Sequence, residues 1–175
     1  DPFVLGISSG AALGASIAIV SGISLTIAGF TGVSVLAFTG AMLTVSAIYL
    51  VSSIRSSKEN SILLLTGIAL NFFFSSIIYL LMFIRYDKMK EIVMWTFGTF
   101  STASWDKVFF LAPVVVIGSM LLGLFARDLN SLVLGEKEAH SFGVSVEKSR
   151  NLMILIGTII TAVIVSTSGL IGFLG

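Results

Sequence analysis

Long apolar runs separated by short charged stretches organise this chain. No Asp, Glu, Lys or Arg lies between Pro2 and Ile54, and residues 60–84, 108–126 and 151–175 are equally free of charge. A helix that rises about 1.5 Å per residue needs about 20 apolar residues to cross a hydrocarbon core of about 30 Å. The pattern therefore predicts an all-α, polytopic membrane protein.

The run before Arg55 is long enough for two crossings, with Gly22, Gly29 and Gly32 at the turn between them. We expect one transmembrane domain over 1–175, made of five full spans and the start of a sixth. The stretch Ile92–Trp105 is too short for a crossing and is typical of a re-entrant or interfacial helix. The predicted spans are 4–21, 33–53, 62–84, 108–125 and 152–166, with the next one starting at 169–175.

The charged connections predict the orientation. The side that holds 55–60 and 127–150 carries six Lys and Arg residues, and the opposite side carries four. Basic residues favour the cytoplasmic side of a membrane. The connection 127–150 is therefore expected to be cytoplasmic.

Composition supports this class and excludes others. Hydrophobic residues make up 56% of the chain and charged residues 11%, whereas soluble domains carry about 25% charge. A soluble enzyme is excluded, and a net charge of +1 offers nucleic acid no basic face. With no cysteine and one histidine, His140, we expect no catalytic residue, metal site or cofactor. The chain opens at Asp1 and stops in an apolar run, so we expect a piece of a longer protein.

Small residues recur every four positions in the first span, at Gly6, Gly10, Gly14 and Ala18. This spacing places them on nearly one helix face, where a neighbouring helix can approach closely. The stripe predicts helix packing.

The third span carries the most polar stripe, formed by Gly67, Asn71 and Ser75. An unpaired amide is costly in hydrocarbon, so Asn71 is expected to face another helix or a wet cavity. Interhelical hydrogen bonding and lining of a translocation pathway both remain open from the residues alone.

No Asp, Glu, Lys, Arg or His lies inside any predicted span. Proton-coupled carriers normally keep ionisable relays in the membrane, so the energy for any uphill transport is expected to come from a partner. A sodium-coupled carrier built on backbone carbonyls remains an alternative. The chain also lacks the Gly-rich loop that holds ATP phosphates.

The connection 127–150 has an amphipathic pattern of its own. Leu129 and Leu132 follow Asp128, a plausible helix N-cap, and Gly135 interrupts the pattern. Ala139 leads to a second short face that ends at Gly143. Two such helices can lie on the membrane or dock into a partner.

Five stretches, in this order, resemble the FecCD-type permeases, the membrane subunits of ABC importers for iron–siderophore complexes, haem and cobalamin. They are D-P-F-V-L-G-I-S-S-G-A at 1–11, G-I-A-L-N at 67–71, the two-tryptophan stretch 95–105, L-N-S-L-V-L-G-E continuing through 129–144, and G-L-I-G-F-L-G at 169–175. Leu170 departs from the usual proline, and His140 stands where a basic residue is common.

The resemblance implies a fragment of a ten-span, type II importer permease in the cytoplasmic membrane of a prokaryote. It implies a non-enzymatic subunit with three kinds of partner: cytoplasmic ABC ATPases, an extracytoplasmic substrate-binding protein and a second permease. An iron–siderophore-like chelate is the expected cargo, with haem or cobalamin as alternatives. It also makes 127–150 a coupling loop for the ATPase and makes the third-span stripe a pathway candidate. The implied coupling residues are Leu129, Leu132, Gly135, Glu136, Ala139 and Gly143.

Overall fold

The computed structural model describes residues 6–23, 26–27, 30–54, 60–100, 103–133 and 146–170, and nearly all of them are helical. The elements are α1 (Ile7–Ser21), β1 (Thr26–Ile27), β2 (Phe30–Thr31), α2 (Gly32–Ile54), α3 (Asn60–Ile84), α4 (Met89–Phe97), α5 (Trp105–Leu124), α6 (Ala126–Val133) and α7 (Val146–Ser168). The prediction of a helical, polytopic membrane fold is confirmed.

Three described helical stretches are long and apolar enough to cross a membrane. They are Leu64–Ile84, Trp105–Leu124 and Asn151–Ser168, and they lie at the third, fourth and fifth predicted spans. Two shorter apolar stretches, Ile7–Ser21 and Gly32–Ile48, lie at the first and second. The predicted start of a sixth span lies largely outside the described residues.

The shortest of these apolar helices, α1, lies at the centre. It has 15 residues, and eleven of them are buried. This burial is possible because Gly, Ala and Ser occupy almost every face of the helix, so that neighbouring backbones can surround it. The stripe at Gly6, Gly10, Gly14 and Ala18 is only one of its packed faces.

Two apolar clusters hold the helices together. One joins α1, α2 and α7 through residues such as Ala11, Ala41 and Val165, and the other joins α1, α3 and α4 through Ile19, Ile78 and Ile92. Trp95 and Leu170 pack against both clusters. The short helix α4 is therefore part of the packed core.

The turn between α1 and α2 is a small hairpin. Gly22 ends α1 in the left-handed conformation, with φ of 64°. Thr26 then pairs with Thr31, and Ile27 with Phe30, in antiparallel register. The glycine-rich turn expected from the sequence thus includes a two-stranded ribbon.

Hydroxyl groups inside the helices bond to their own backbone. Ser16 donates to the Ala12 carbonyl at 2.7 Å, Thr44 to Gly40 at 2.8 Å and Thr158 to Ile154 at 2.6 Å. These bonds satisfy polar groups where hydrocarbon supplies no partner.

Candidate functional site

Glycines bring α1 and α2 into backbone contact. A Cβ atom on Gly10 would lie 2.9 Å from the Gly40 carbonyl oxygen, and one on Gly14 would lie 2.8 Å from the Leu36 carbonyl carbon. Gly40, on α2, has the same constraint, since a Cβ added there would lie 3.3 Å from the Gly14 Cα of α1. Two residues of the predicted packing stripe thus lie in a seam that only glycine fits.

The first and third spans meet at Gly6 and Gly67. Gly6 precedes α1 with φ of 73°, and a Cβ there would lie 3.0 Å from the Gly67 carbonyl oxygen. Ser9 supports this turn by donating to the Gly6 carbonyl at 2.8 Å. The structure therefore places Gly67 in a helix seam.

The polar stripe of α3 lies on its more protected side. Gly67 is buried and Asn71 and Ser75 are half-buried, whereas Leu65 and Phe72 are 69% and 73% exposed. The exposed face of α3 continues through other large apolar side chains, namely Leu64, Ile68, Phe73, Tyr79, Leu80, Phe83 and Ile84. The stripe therefore lies at the edge of this exposed apolar face.

The connection 127–150, which we call the elbow, is closed by a hydrogen bond between its ends. Ser149 Oγ donates to Asp128 Oδ2 at 2.7 Å, and Ser149 is 5% exposed. The prediction of Asp128 as an N-cap is wrong, because α6 already begins at Ala126. Asp128 instead lies in the first helical turn, where the helix dipole favours a carboxyl group.

The predicted coupling residues lie in and after α6. Leu129 and Leu132 belong to α6, but their side chains are outside the described part of the structure. Gly135, Glu136, Ala139 and Gly143 lie outside the described residues.

A second junction lies at the other end of α7. Thr99 N donates to the Ser168 carbonyl at 2.9 Å. Gly98 and Gly169 both have positive φ, of 70° and 79°. A Cβ on Gly98 would lie 2.7 Å from the Leu170 carbonyl oxygen, and one on Gly169 would lie 2.7 Å from the Gly98 Cα. The end of α4 and the end of α7 therefore meet backbone to backbone.

A charged group joins the ends of α1 and α3 on this same side. Arg85 donates through Nη1 to the Val20 carbonyl at 3.1 Å, and through Nε and Nη2 to the two carboxylate oxygens of Asp87, each at 3.1 Å. The side-chain hydrogen bonds with Arg85 hold the pKa of Asp87 below its ordinary value, and Asp87 raises the pKa of Arg85. Arg85 thus caps the Val20 carbonyl at the end of α1.

An apolar cavity of about 280 Å³ lies between α2, α5 and α7. Phe30 and Phe110 meet across its rim edge to face, with ring centroids 4.7 Å apart. The hydroxyls of Ser166 and Thr167 at its wall bond to backbone carbonyls of α7. The chemistry of this wall offers a polar ligand little to bind. Among the described residues, no group of three His, Asp or Glu side chains comes together to hold a metal ion.

Three of these contacts were missed by sequence reasoning: Asp128 with Ser149, Arg85 with Val20, and Gly98 with Gly169. Only the last pair carried a signal, because both glycines fall in stretches singled out by the family resemblance. The other two join residues far apart in the chain, and no local pattern predicts them.

Comparison with known protein families gives a match over the entire chain. The profile of the FecCD transport family matches residues 1–175.

Individual relatives agree with this match. The chain is 34% identical to a cobalamin import system permease protein of Halobacterium salinarum, covering 100% of this chain and 46% of the relative. It is 35% identical to a hemin transport system permease protein of Yersinia pestis, and the match covers 100% of this chain and 53% of that relative. A solved structure of an inward-facing metal-chelate type ABC transporter superposes with a TM-score of 0.88 at 32% identity, covering 100% of this chain and 55% of that one. The chain spans about half the length of the relatives it matches.

Proposed function

Since this chain belongs to the FecCD transport family, we propose that it forms part of the permease of an ABC importer for metal chelates. It is a multi-pass protein of the prokaryotic cytoplasmic membrane. The permease provides the path for the cargo, and a separate ATPase subunit hydrolyses ATP. A soluble binding protein delivers the cargo from outside, and a second permease subunit completes the path.

One observation carries the proposal: the membrane-length helices contain no Asp, Glu, Lys, Arg or His beyond their first turns. Leu64–Ile84 and Asn151–Ser168 have none, and α5 has only Asp106 and Lys107 at its start. These stretches therefore carry no titratable relay of the kind that proton-coupled carriers keep in the membrane. This absence favours energy that enters through a contact with another subunit. The elbow, with its motif residues Gly135 and Glu136, is the charged segment proposed for that contact.

The cargo is proposed to be an iron–siderophore-like chelate. Relatives at similar identity are named for cobalamin and for hemin, so these two are the second candidates. A bulky chelate suits walls that are mostly apolar and weakly polar, because such walls bind it too weakly to retain it.

The pathway residues are proposed to be Gly67, Asn71 and Ser75. Their support is the half-buried position of Asn71 and Ser75 beside the seam at Gly67. Replacing Asn71 with Leu is expected to lower uptake while ATPase binding stays unchanged. Ser76→Ala is the matched control, because the exposed Ser76 hydroxyl bonds to the Phe72 carbonyl of its own helix.

The decisive experiment is uptake by the full-length permease in proteoliposomes, assembled with its ATPase and binding protein. A ferric siderophore, haemin and cyanocobalamin serve as separate probes. We expect uptake of one probe with ATP on the ATPase side and none with ADP. Uptake driven by a sodium gradient without ATP would establish the alternative, an ion-coupled secondary carrier.

The docking role of the elbow is tested in the same system. Gly135→Trp and Glu136→Lys are expected to reduce both uptake and co-purification of the ATPase, because bulk or reversed charge disrupts a fitted surface. Glu138→Lys makes the same charge reversal two residues away and is the control. Unchanged uptake in the Gly135 and Glu136 variants would contradict the docking role.

A further inference from the structure

We propose that α7 acts as a strut that carries movement of the elbow across the membrane to α4, and that Asp128 and Ser149 are the positioning residues that fasten the elbow to it. This inference rests on the proposed function, since movement of the elbow is attributed to an ATPase partner. It adds a route from that partner to the opposite face of the membrane.

The fastening at the near end is a partly buried hydrogen bond. The 2.7 Å distance between Ser149 Oγ and Asp128 Oδ2 is typical of a strong hydroxyl–carboxyl bond. Ser149 is 5% exposed, so water does not compete freely for its hydroxyl. A carboxyl that loses this donor must find another or carry the cost of an unmet bond.

The position of the bond gives it a mechanical role. Asp128 lies in the first turn of α6, directly after the corner that ends α5, and Ser149 lies in the first turn of α7. Together they hold both ends of the segment that carries the coupling motif. Displacement of the start of α6 is then passed to the start of α7 through this hydrogen bond.

The helix α7 is built to transmit such a displacement. Its 23 residues span about 34 Å at about 1.5 Å per residue. Ala162 and Val165 are packed in the cluster with α1 and α2, and Ile160 fills the space beside Gly118 of α5. Close-packed interiors deform little and pass displacement on to their neighbours.

The far end of α7 is fastened to α4. Thr99 N bonds to the Ser168 carbonyl at 2.9 Å, and Gly98 and Gly169 meet with no room for a side chain. Within α4 itself, Ile92 is 1% exposed and packs against α1 and α3. A shift of α7 is thus delivered to α4, which lies beside the end of the candidate pathway helix α3.

The experiment measures this delivery in the full-length permease assembled with its ATPase in lipid nanodiscs. Spin labels are placed at Leu65 on α3 and Met94 on α4, which are 69% and 58% exposed. The 175 residues contain no cysteine, so labels go only where cysteine is introduced once any cysteine elsewhere in the protein is replaced. The distance between the labels is recorded without nucleotide and after trapping with ATP and vanadate.

Matched pairs of variants isolate the hydrogen bond. Ser149→Thr and Ser149→Val have nearly the same shape but differ in the hydroxyl, and Asp128→Asn and Asp128→Leu differ in the acceptor. Loss of a hydrogen bond of this kind changes the equilibrium between two conformations about tenfold when only one of them contains the bond. We expect Ser149→Val and Asp128→Leu to lose most of the nucleotide-dependent distance change, with ATP hydrolysis retained. Ser149→Thr and Asp128→Asn should keep it, as should Ser131→Ala, whose hydroxyl bonds within α6.

The outcomes separate the two proposals. Wild-type protein that binds no ATPase would overturn the proposed function, and the strut with it. A wild-type distance change that persists unaltered in Ser149→Val and Asp128→Leu would overturn the strut alone. Because the donor Ser149 and the acceptor Asp128 are substituted in separate variants, the test stays valid if one variant fails to fold.

Discussion

Gly6 and Gly67 meet where α1 begins against α3, and a methyl group on Gly6 would lie 3.0 Å from the Gly67 carbonyl oxygen. Both residues belong to stretches that resemble the FecCD-type permeases, although they lie far apart in the chain. The contact, together with the positive φ of Gly6, gives a physical reason for glycine at position 6, because the backbone of α3 approaches too closely for a side chain there.

The glycine seam gives the first prediction. Gly14→Ala should destabilise the fold by about 1–3 kcal/mol, because its Cβ would meet backbone atoms of Leu36 that have no room to move. Gly118→Ala should cost less, since its nearest neighbour, at 2.5 Å, is the flexible Cδ1 of Ile160. The unfolding midpoint in detergent checks this order.

The matched control for that series is Gly157→Ala. A methyl group on this helical glycine would meet no other part of the protein within 4 Å, so alanine should stabilise the helix by about 0.5–1 kcal/mol. Equal midpoints for Gly14→Ala and Gly157→Ala would contradict the seam.

The junction between α4 and α7 gives the second prediction. Gly169→Ala combines a positive φ of 79° with a collision against Gly98, and it should lower stability by more than about 2 kcal/mol. Gly22→Ala has a similar φ of 64° but open space around it, so it reports the backbone strain alone. Denaturant titration measures the free energy of unfolding of the two variants. An equal loss in both would contradict a destabilising collision at Gly169.

The third prediction concerns acid. The pKa of Asp87 is lowered in the folded protein by its hydrogen bonds with Arg85. Its contribution to stability is therefore complete above the ordinary aspartate pKa of about 3.9 and is lost as the pH falls below that value. We expect the unfolding temperature to fall from about pH 4 downwards, and to fall less steeply in Asp87→Asn. Identical acid profiles would exclude a role for this pair.

The fourth prediction concerns the contact of the hairpin with α5. The rings of Phe30 and Phe110 lie 4.7 Å apart, edge to face, which is worth about 0.5–1.5 kcal/mol beyond buried area. A double-mutant cycle with Phe30→Ala and Phe110→Ala should measure that coupling. Phe109→Ala, next in the chain but 73% exposed, should show no coupling to Phe30.

Sequence reasoning predicted the elements that depend on local composition. The apolar run after Arg55 predicted a span at 62–84, and α3 covers Asn60–Ile84. The helix α5 begins at Trp105, three residues before the predicted span at 108–125, and includes the charged pair Asp106 and Lys107. Ser104 caps this helix by accepting from Lys107 N at 3.4 Å, so the charged pair lies in its first turn.

What depends on tertiary structure could not be predicted. The spacing of Gly6, Gly10, Gly14 and Ala18 indicated one packed face, but α1 is buried on most sides because helices distant in sequence surround it. Asp128 was predicted to be an N-cap because the apolar residues that follow it in the sequence suggested that a helix begins there. Its hydrogen bond to Ser149 joins residues 21 positions apart, and the spacing of apolar residues along the sequence does not predict such a contact.

The central position of α1 also sets an order for biogenesis. Ile7 and Val165 belong to the same apolar cluster, so the ribosome must translate nearly all of these residues before the helix has its complete surroundings. Until α7 is translated, α1 packs against α2 and α3 but still lacks one of the helices that surround it in the finished fold.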